Sequence, residues 1–310
     1  MSESQPRVQE VSDGVYAYVQ PDGTWFINNT GFLVLGEADG GGVVAIDACS
    51  TERRTLALRE AIERVTAAPV RTLLNTHFHA DHTNGNAFFP GATIVAHERT
   101  RQELLASPPL EVYEQVFEAP DWGAVRRVAP FLTYSDAITI HAGELRCEVR
   151  YVGQPAHTGA DSIVWLPERR VLFAGDLVFH GGTPFVLMGS VAGTIAVSED
   201  LKRLGAETVV PGHGEPCGPD WFDQTIGYLR FVQQVAQQGV DAGLTPLQAA
   251  READLGPYRE WTDAERIVGN LHRAYAELGG LEGGAYATVD VLAALQEMVV
   301  FNGGPLPCHA

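Results

Sequence analysis

The chain has 310 residues, 45% of them hydrophobic and 19% charged, which excludes global disorder and leaves ample length for a continuous core. Lys+Arg number 21 against Asp+Glu 39, a formal charge of −18, so a phosphate backbone would be repelled and nucleic acid is not an expected partner. Cys49, Cys147, Cys217 and Cys308 are too dispersed for a zinc ribbon or a dense disulfide framework. No apolar run approaches the roughly 18 residues that cross a bilayer, and the first residues lack the order of an export signal. The expectation is a soluble cytoplasmic protein with free thiols and no membrane partner.

Val15 to Val19 reads as a strand stopped by Pro21-Asp22-Gly23, and Gly31 to Leu35 and Val43 to Ile46 as two more. Leu58, Ile62 and Val65 recur at helical spacing within 53–67. Strands are expected at 70–74, 93–96, 138–140, 150–152, 163–166, 171–174 and 208–210, with Ser198 capping a short helix that ends at Gly205. Beyond about residue 220 the pattern turns helical. Ile226, Leu229, Val232 and Val235 form one stripe, Ile267, Leu271 and Leu278 a second, and Leu292, Leu295 and Met298 a third. Thr245-Pro246-Leu247-Gln248 has the form of a capping box. The expected organisation is a catalytic domain over residues 1–218 with a helical segment, 219–310, packed on it.

Residues 76–86 read Thr-His-Phe-His-Ala-Asp-His-Thr-Asn-Gly-Asn, directly after the strand at 70–74. His77, His79, Asp81 and His82 are ligand types suited to zinc, and also to iron or manganese. Four such groups this close together cannot all close on one ion without strain, so the spacing suits two neighbouring metals. His157 follows a turn after the strand ending at Val152, Asp176 closes the strand Val171–Ala174, and His213 stands in Pro-Gly-His-Gly after Val210. Each candidate sits at a strand end, where a loop can aim it at a common point. A polar loop with locally satisfied histidines is the competing explanation, and this agreement weighs against it.

The order HxHxDH, a separate His, an Asp in a GD turn and a His in PGHG resembles the metallo-β-lactamase superfamily over roughly residues 10–215. The resemblance implies an α/β fold, a four-layer αβ/βα sandwich, with the helical C-terminal segment appended. It implies that His77, His79 and His157 hold a first metal, that Asp81, His82 and His213 hold a second, and that Asp176 bridges the two. Gly85 and Asn86 match the turn after the motif, and Asp47 matches an acid near the site. Two zinc ions would lower the pKa of a shared water toward neutrality and supply a hydroxide that attacks an acyl carbonyl. Asp81, Asp176 and His180 are then the candidate catalytic residues.

Departures from that pattern narrow the reaction. Asp176 stands where β-lactamases of this fold carry Cys or Ser, and the flavodoxin and nuclease domains of other branches are missing. No basic cluster for glutathione is evident in 220–310. Trp25, Phe26, Phe179 and Phe185 lie near the metal-binding loops, with Tyr113, Phe117 and Trp122 in an insertion, which suggests an apolar or aromatic substrate pocket. The leading reading is a zinc-dependent hydrolase of a thioester, lactone or related small molecule. The stretches Gly23–Asn29 and Phe179–Pro184 also resemble metal-dependent cyclases of aromatic polyketide biosynthesis. A mononuclear iron oxygenase similar to the persulfide dioxygenases is a further alternative, and a non-catalytic metal-binding protein the last. The tail Phe301–Ala310 is either folded back toward the site or disordered.

Overall fold

Seven strands, β1 (Arg7–Ser12), β2 (Val15–Val19), β3 (Thr30–Leu35), β4 (Gly42–Ile46), β5 (Val70–Leu74), β6 (Thr93–His97) and β7 (Leu132–Tyr134), hydrogen-bond in sequence order into one sheet. β8 (Ala137–Ala142), β9 (Leu145–Tyr151), β10 (Ser162–Leu166), β11 (Val171–Phe179) and β12 (Thr208–His213) form the other, in the spatial order β12-β11-β10-β9-β8. Both sheets are mixed: β4 to β7 run parallel, as do β11 and β12, and the remaining pairs are antiparallel. This computed structural model describes residues 5–36, 41–118, 120–142, 144–282, 285–286 and 288–310.

Period-two alternation builds the layers. In β4, Val44 and Ile46 face the opposite sheet, where they meet Val149, Val164 and Val210, while Val43 and Ala45 face Leu58 and Ile62 of helix α1 (Glu52–Val65). In β11, Val171 and Phe173 join the layer between the sheets, whereas Leu172 and Ala174 pack outward on Val197 and Leu201 of α4 (Val191–Lys202). Helix, sheet, sheet and helix therefore stack as an α/β sandwich. Short α2 (Ala80–Thr83) follows β5, and α3 (Glu98–Ala106) follows β6.

The expected capping residue of α4 is displaced. Ser190, not Ser198, accepts the hydrogen bond from the third residue's peptide, at 2.9 Å, and Ser198 is buried inside the helix. Gly189 and Gly193 give this stretch the look of a loop, and the helix is held by its packing rather than by propensity. β11 also runs past the expected end at Ala174, continuing through Asp176 to Phe179.

Among the described residues four α-helices follow β12: α5 (Trp221–Asp241), α6 (Pro246–Glu252), α7 (Arg266–Leu278) and α8 (Val291–Asn302). Thr245 and Gln248 form the reciprocal capping box. Most of the three expected stripes meets in one cluster, in which Leu229, Val232, Ile267, Leu271, Leu295 and Met298 pack with Phe179, Phe185 and Trp25 of the sandwich, whereas Leu278 at the end of α7 is exposed. The tail turns back. Leu306 is fully buried and exchanges backbone hydrogen bonds with Val116 and Glu118, and the His309 ring reaches Asp22 at 2.6 Å. No helix among the described residues is long and apolar enough to cross a membrane.

Candidate metal centre

Both sheets deliver their ligands to one edge. β5 ends at Leu74 and places His77 in the turn beyond it. His79 stands at the N-terminus of α2, so the first helical turn carries Asp81 and His82. His157 lies in the loop from β9 to β10, Asp176 inside β11, and His213 at the last position of β12. Gly212 makes this approach possible, because a side chain there would collide with the Asp176 carboxylate.

The seven side chains form two groups that share Asp176: His77, His79, His157 and Asp176, and Asp81, His82, Asp176 and His213. In each, one ligand atom per residue lies within 4.8 Å of the others. Asp176 Oδ2 is 3.4 Å from His157 Nε2 and 3.2 Å from His213 Nε2, and Oδ1 is 3.1 Å from His82 Nε2. Asp81 Oδ2 is 3.3 Å from His213 Nε2. Buried atoms Nε2 of His77, His79 and His82 and Oδ1 of Asp176 nevertheless have no aligned hydrogen-bond partner. Polar atoms that converge without bonding one another, in a buried site, fit the donor set of a metal.

Outer contacts fix four of the rings by their Nδ1 atoms, leaving Nε2 for the centre. Asp47 Oδ2 is 2.9 Å from His82 Nδ1 and accepts the Thr76 hydroxyl at 2.7 Å, and that hydroxyl oxygen lies 3.0 Å from His77 Nδ1. His157 Nδ1 meets the Phe185 carbonyl at 2.5 Å and His213 Nδ1 the Gly23 carbonyl at 3.1 Å. Asp47, just beyond β4, thus supports His82 directly and His77 through Thr76.

The two groups differ electrostatically. Burial and the neighbouring imidazoles hold His77 well below the ordinary imidazole range and His79 at about 3, so both are neutral. Burial also opposes the charged forms of His82 and His213, but there Asp176 and Asp81 outweigh it. They raise His82 well above its ordinary value and His213 to about 9. Burial likewise opposes ionisation of Asp81 and Asp176, yet the imidazoles beside them hold both carboxyls down.

The metallo-beta-lactamase superfamily model matches residues 23–213, which contain all seven of these side chains. The chain belongs to the metallo-beta-lactamase superfamily. It is 28% identical over 190 residues to a metallo-beta-lactamase type 2 of Bacillus cereus, covering 59% of this chain and 66% of that one. It is 26% identical over 178 residues to an acyl-coenzyme A thioesterase of Homo sapiens, covering 52% of this chain and 62% of that one. The chain thus spans somewhat less than two-thirds of these curated relatives. A metallo-beta-lactamase from Pontibacter korlensis shares the fold, with TM-score 0.59 and 21% identity over 73% of this chain and 99% of that one. Its curated relatives also include a hydroxyacylglutathione hydrolase of Rhodospirillum rubrum, 27% identical over 160 residues.

A cavity of about 1070 Å³ opens onto the superfamily site, with His79, Asp81, His157, Asp176 and His213 in its wall. Trp25, Phe26, Phe179 and Phe185 line it, as do Tyr113, Phe117 and Trp122 of the insertion. Edge-to-face contacts link them: Trp25 meets Phe185 at 5.1 Å and Phe117 at 5.2 Å, and Phe26 meets Phe117 at 4.9 Å and Trp122 at 5.1 Å.

His180 is placed elsewhere than the sequence reading expected. Phe179 closes β11 with its ring stacked on His213, and His180 is the first residue of the turn beyond the strand and faces elsewhere. Its Nδ1 meets the Glu215 carbonyl at 2.6 Å, its ring packs on Trp221, and it is not among the cavity-lining residues. Its peptide N–H does donate to the His213 carbonyl at 2.9 Å. The sequence reading also missed Arg266, which is 1% exposed and in the cavity wall. Its guanidinium lies 4.3 Å from the Trp25 ring centroid and 4.8 Å from that of Phe179, and it pairs with Asp263 at 2.8 Å. Arg266 and Asn270, both buried, are polar neighbours four residues apart beside the apolar stripe of α7, and that spacing is the signal that could have marked them.

Proposed function

We propose that this protein is a dinuclear zinc hydrolase that cleaves an acyl thioester, or a related ester or lactone, whose acyl part is apolar or aromatic. One observation carries the reading: the converging His/Asp groups form the polar end of a large cavity whose remaining wall is mainly aromatic and aliphatic. The thioesterase among the relatives supports it.

In this reading His77, His79 and His157 hold one zinc, Asp81, His82 and His213 the other, and Asp176 both. Bound there, the metals supply Lewis acidity toward the carbonyl and a water activated at neutral pH. The chain's own residues do the rest. Asp176, held ionised by its histidines, would serve as an anionic ligand, and the Asp81 carboxylate oxygen left over from metal binding can accept a hydrogen bond from the attacking water and orient it. Trp25, Phe26 and Phe117 hold the acyl group and exclude competing water. Residues 219–310 act as a helical wall closing the acyl end of the catalytic domain, 1–218, through Val291, Leu292 and Leu295.

The test compares N-acetylcysteamine thioesters of 3-phenylpropionate and acetate with the zinc-loaded protein. The aromatic thioester should be favoured in kcat/KM by roughly tenfold or more, and chelation should abolish both reactions. Equal rates, or turnover that survives chelation, would contradict the proposal. The cavity volume also favours a second reading, a cyclase acting on a folded poly-β-keto chain. Formation of a carbon–carbon bond rather than a free acid would distinguish it.

A further inference from the structure

One half-buried ionisable group in the cavity wall is used by neither the metal site nor the fold. Glu103 lies on α3, beside Leu104, and both line the cavity. Its Oε2 is buried without a hydrogen-bond partner, and among the described residues no cation lies within ion-pairing distance. The surroundings are shaped around it. Thr100, one turn earlier, ties α3 to the loop after His157 by donating its hydroxyl to the Ala160 carbonyl at 2.9 Å. In that loop Gly159 leaves the space the carboxyl fills, since a side chain at 159 would collide with Glu103 Oε1. Phe78, Pro108, Leu110 and Tyr113 supply neighbouring apolar wall.

A carboxyl in a cavity wall that makes no hydrogen bond within the protein keeps bonding capacity for a ligand. We infer that Glu103 is a specificity-determining residue whose carboxyl pairs with a hydroxyl group carried on the apolar part of the substrate. This rests on the acyl-hydrolase reading and names the substrate class more closely: a hydroxylated, predominantly apolar or aromatic acyl group. A hydroxyl is the matching group because it donates to a carboxylate and accepts from a carboxylic acid. Burial, with the charge of Asp161 and against that of Arg99, pushes Glu103 up to about 7, so both forms are present near neutrality. An ammonium would have to shed a tightly held hydration shell against this apolar wall.

The test reads binding rather than turnover, so it can fail while the hydrolase reading stands, and the reverse. 4-Propylphenol, 4-propyltoluene and 4-propylbenzylamine are titrated calorimetrically into the zinc-loaded full chain. The phenol should bind roughly tenfold more tightly than the toluene. Glu103→Met should erase that preference while the zinc content per chain stays the same, which shows the site intact. Glu103→Gln, which keeps a donor and an acceptor, should retain most of it. A phenol preference that persists in Glu103→Met would place the hydroxyl elsewhere, on the metals for instance, and overturn the inference. Equal binding of phenol and toluene by the unaltered protein, or tighter binding of the benzylamine, would overturn it without any variant.

Discussion

The ring of Phe179 lies nearly parallel to the imidazole of His213, with centroids 5.0 Å apart and planes 9° apart. The Arg266 guanidinium lies against the same phenyl ring and against Trp25, whose indole N–H donates to Glu265 at 2.6 Å. The start of α7 therefore reaches the metal site through the Phe179 ring. Removing Arg266 would leave the Asp263 carboxyl buried without its partner. Arg266→Met should lose about 3 kcal/mol of stability, and Asp263→Asn added to it should restore part of that. Denaturant unfolding checks both, and an unchanged midpoint for Arg266→Met would contradict the arrangement.

Asp47 touches no substrate, but it holds His82 directly and His77 through Thr76. Asp47→Ala should weaken zinc binding by about 10- to 100-fold. Competition with a chromogenic chelator measures this. Unaltered affinity would mean that the histidines need no such support.

Zinc loading should depend on pH unequally in the two groups. His77 and His79 are neutral before metal arrives, whereas His82 and His213 carry protons that must leave. As pH falls from 9 toward 6, the affinity of the group that contains His82 and His213 should drop, because those two rings must shed protons for the metal. Calorimetry in buffers of different ionisation enthalpy should show proton release at pH 7.5 confined to the weaker binding phase. Release from the tighter phase alone would reverse the assignment.

Glu103 also makes a stability prediction. Its carboxyl is raised in the folded chain to about 7 from an unfolded value near 4.5, so the folded state holds its proton more tightly. The resulting contribution to stability is present below pH 4.5 and is lost as pH rises through 7. Relative to the unaltered chain, Glu103→Gln should therefore gain melting temperature between pH 5 and 8 and show no such gain near pH 4. A difference independent of pH would contradict this.

The tail also packs against the cavity wall. Leu306 is buried beside the segment that carries Phe117, so deletion of residues 305–310 should cost about 2 kcal/mol. It should also raise KM for a bulky acyl thioester more than it lowers kcat. An unchanged KM would show that the tail stabilises without shaping the cavity.

Much of this site is legible in the amino-acid sequence because metal ligands must leave strands at a common edge. His77, Asp176 and His213 each follow or end an apolar run, and local periodicity is enough to find such runs. The helical stripes of α5, α7 and α8 are legible for the same reason. What local pattern cannot supply is direction and partnership. His180 and Phe179 are adjacent, and only the pairing of β11 with β12 decides which of them faces His213. β1 escapes notice because its residues are partly exposed on both faces and show no alternation. Arg266 and Glu103 read as ordinary surface charges until tertiary packing buries the first and half-buries the second.

The most direct test of the central claim is the metal content of the purified full chain after loading and removal of loosely bound ions. Two zinc equivalents per chain, falling to one in His213→Ala, are expected if the two groups sharing Asp176 each hold an ion. A single equivalent in the unaltered chain, and above all a single iron, would contradict the dinuclear account.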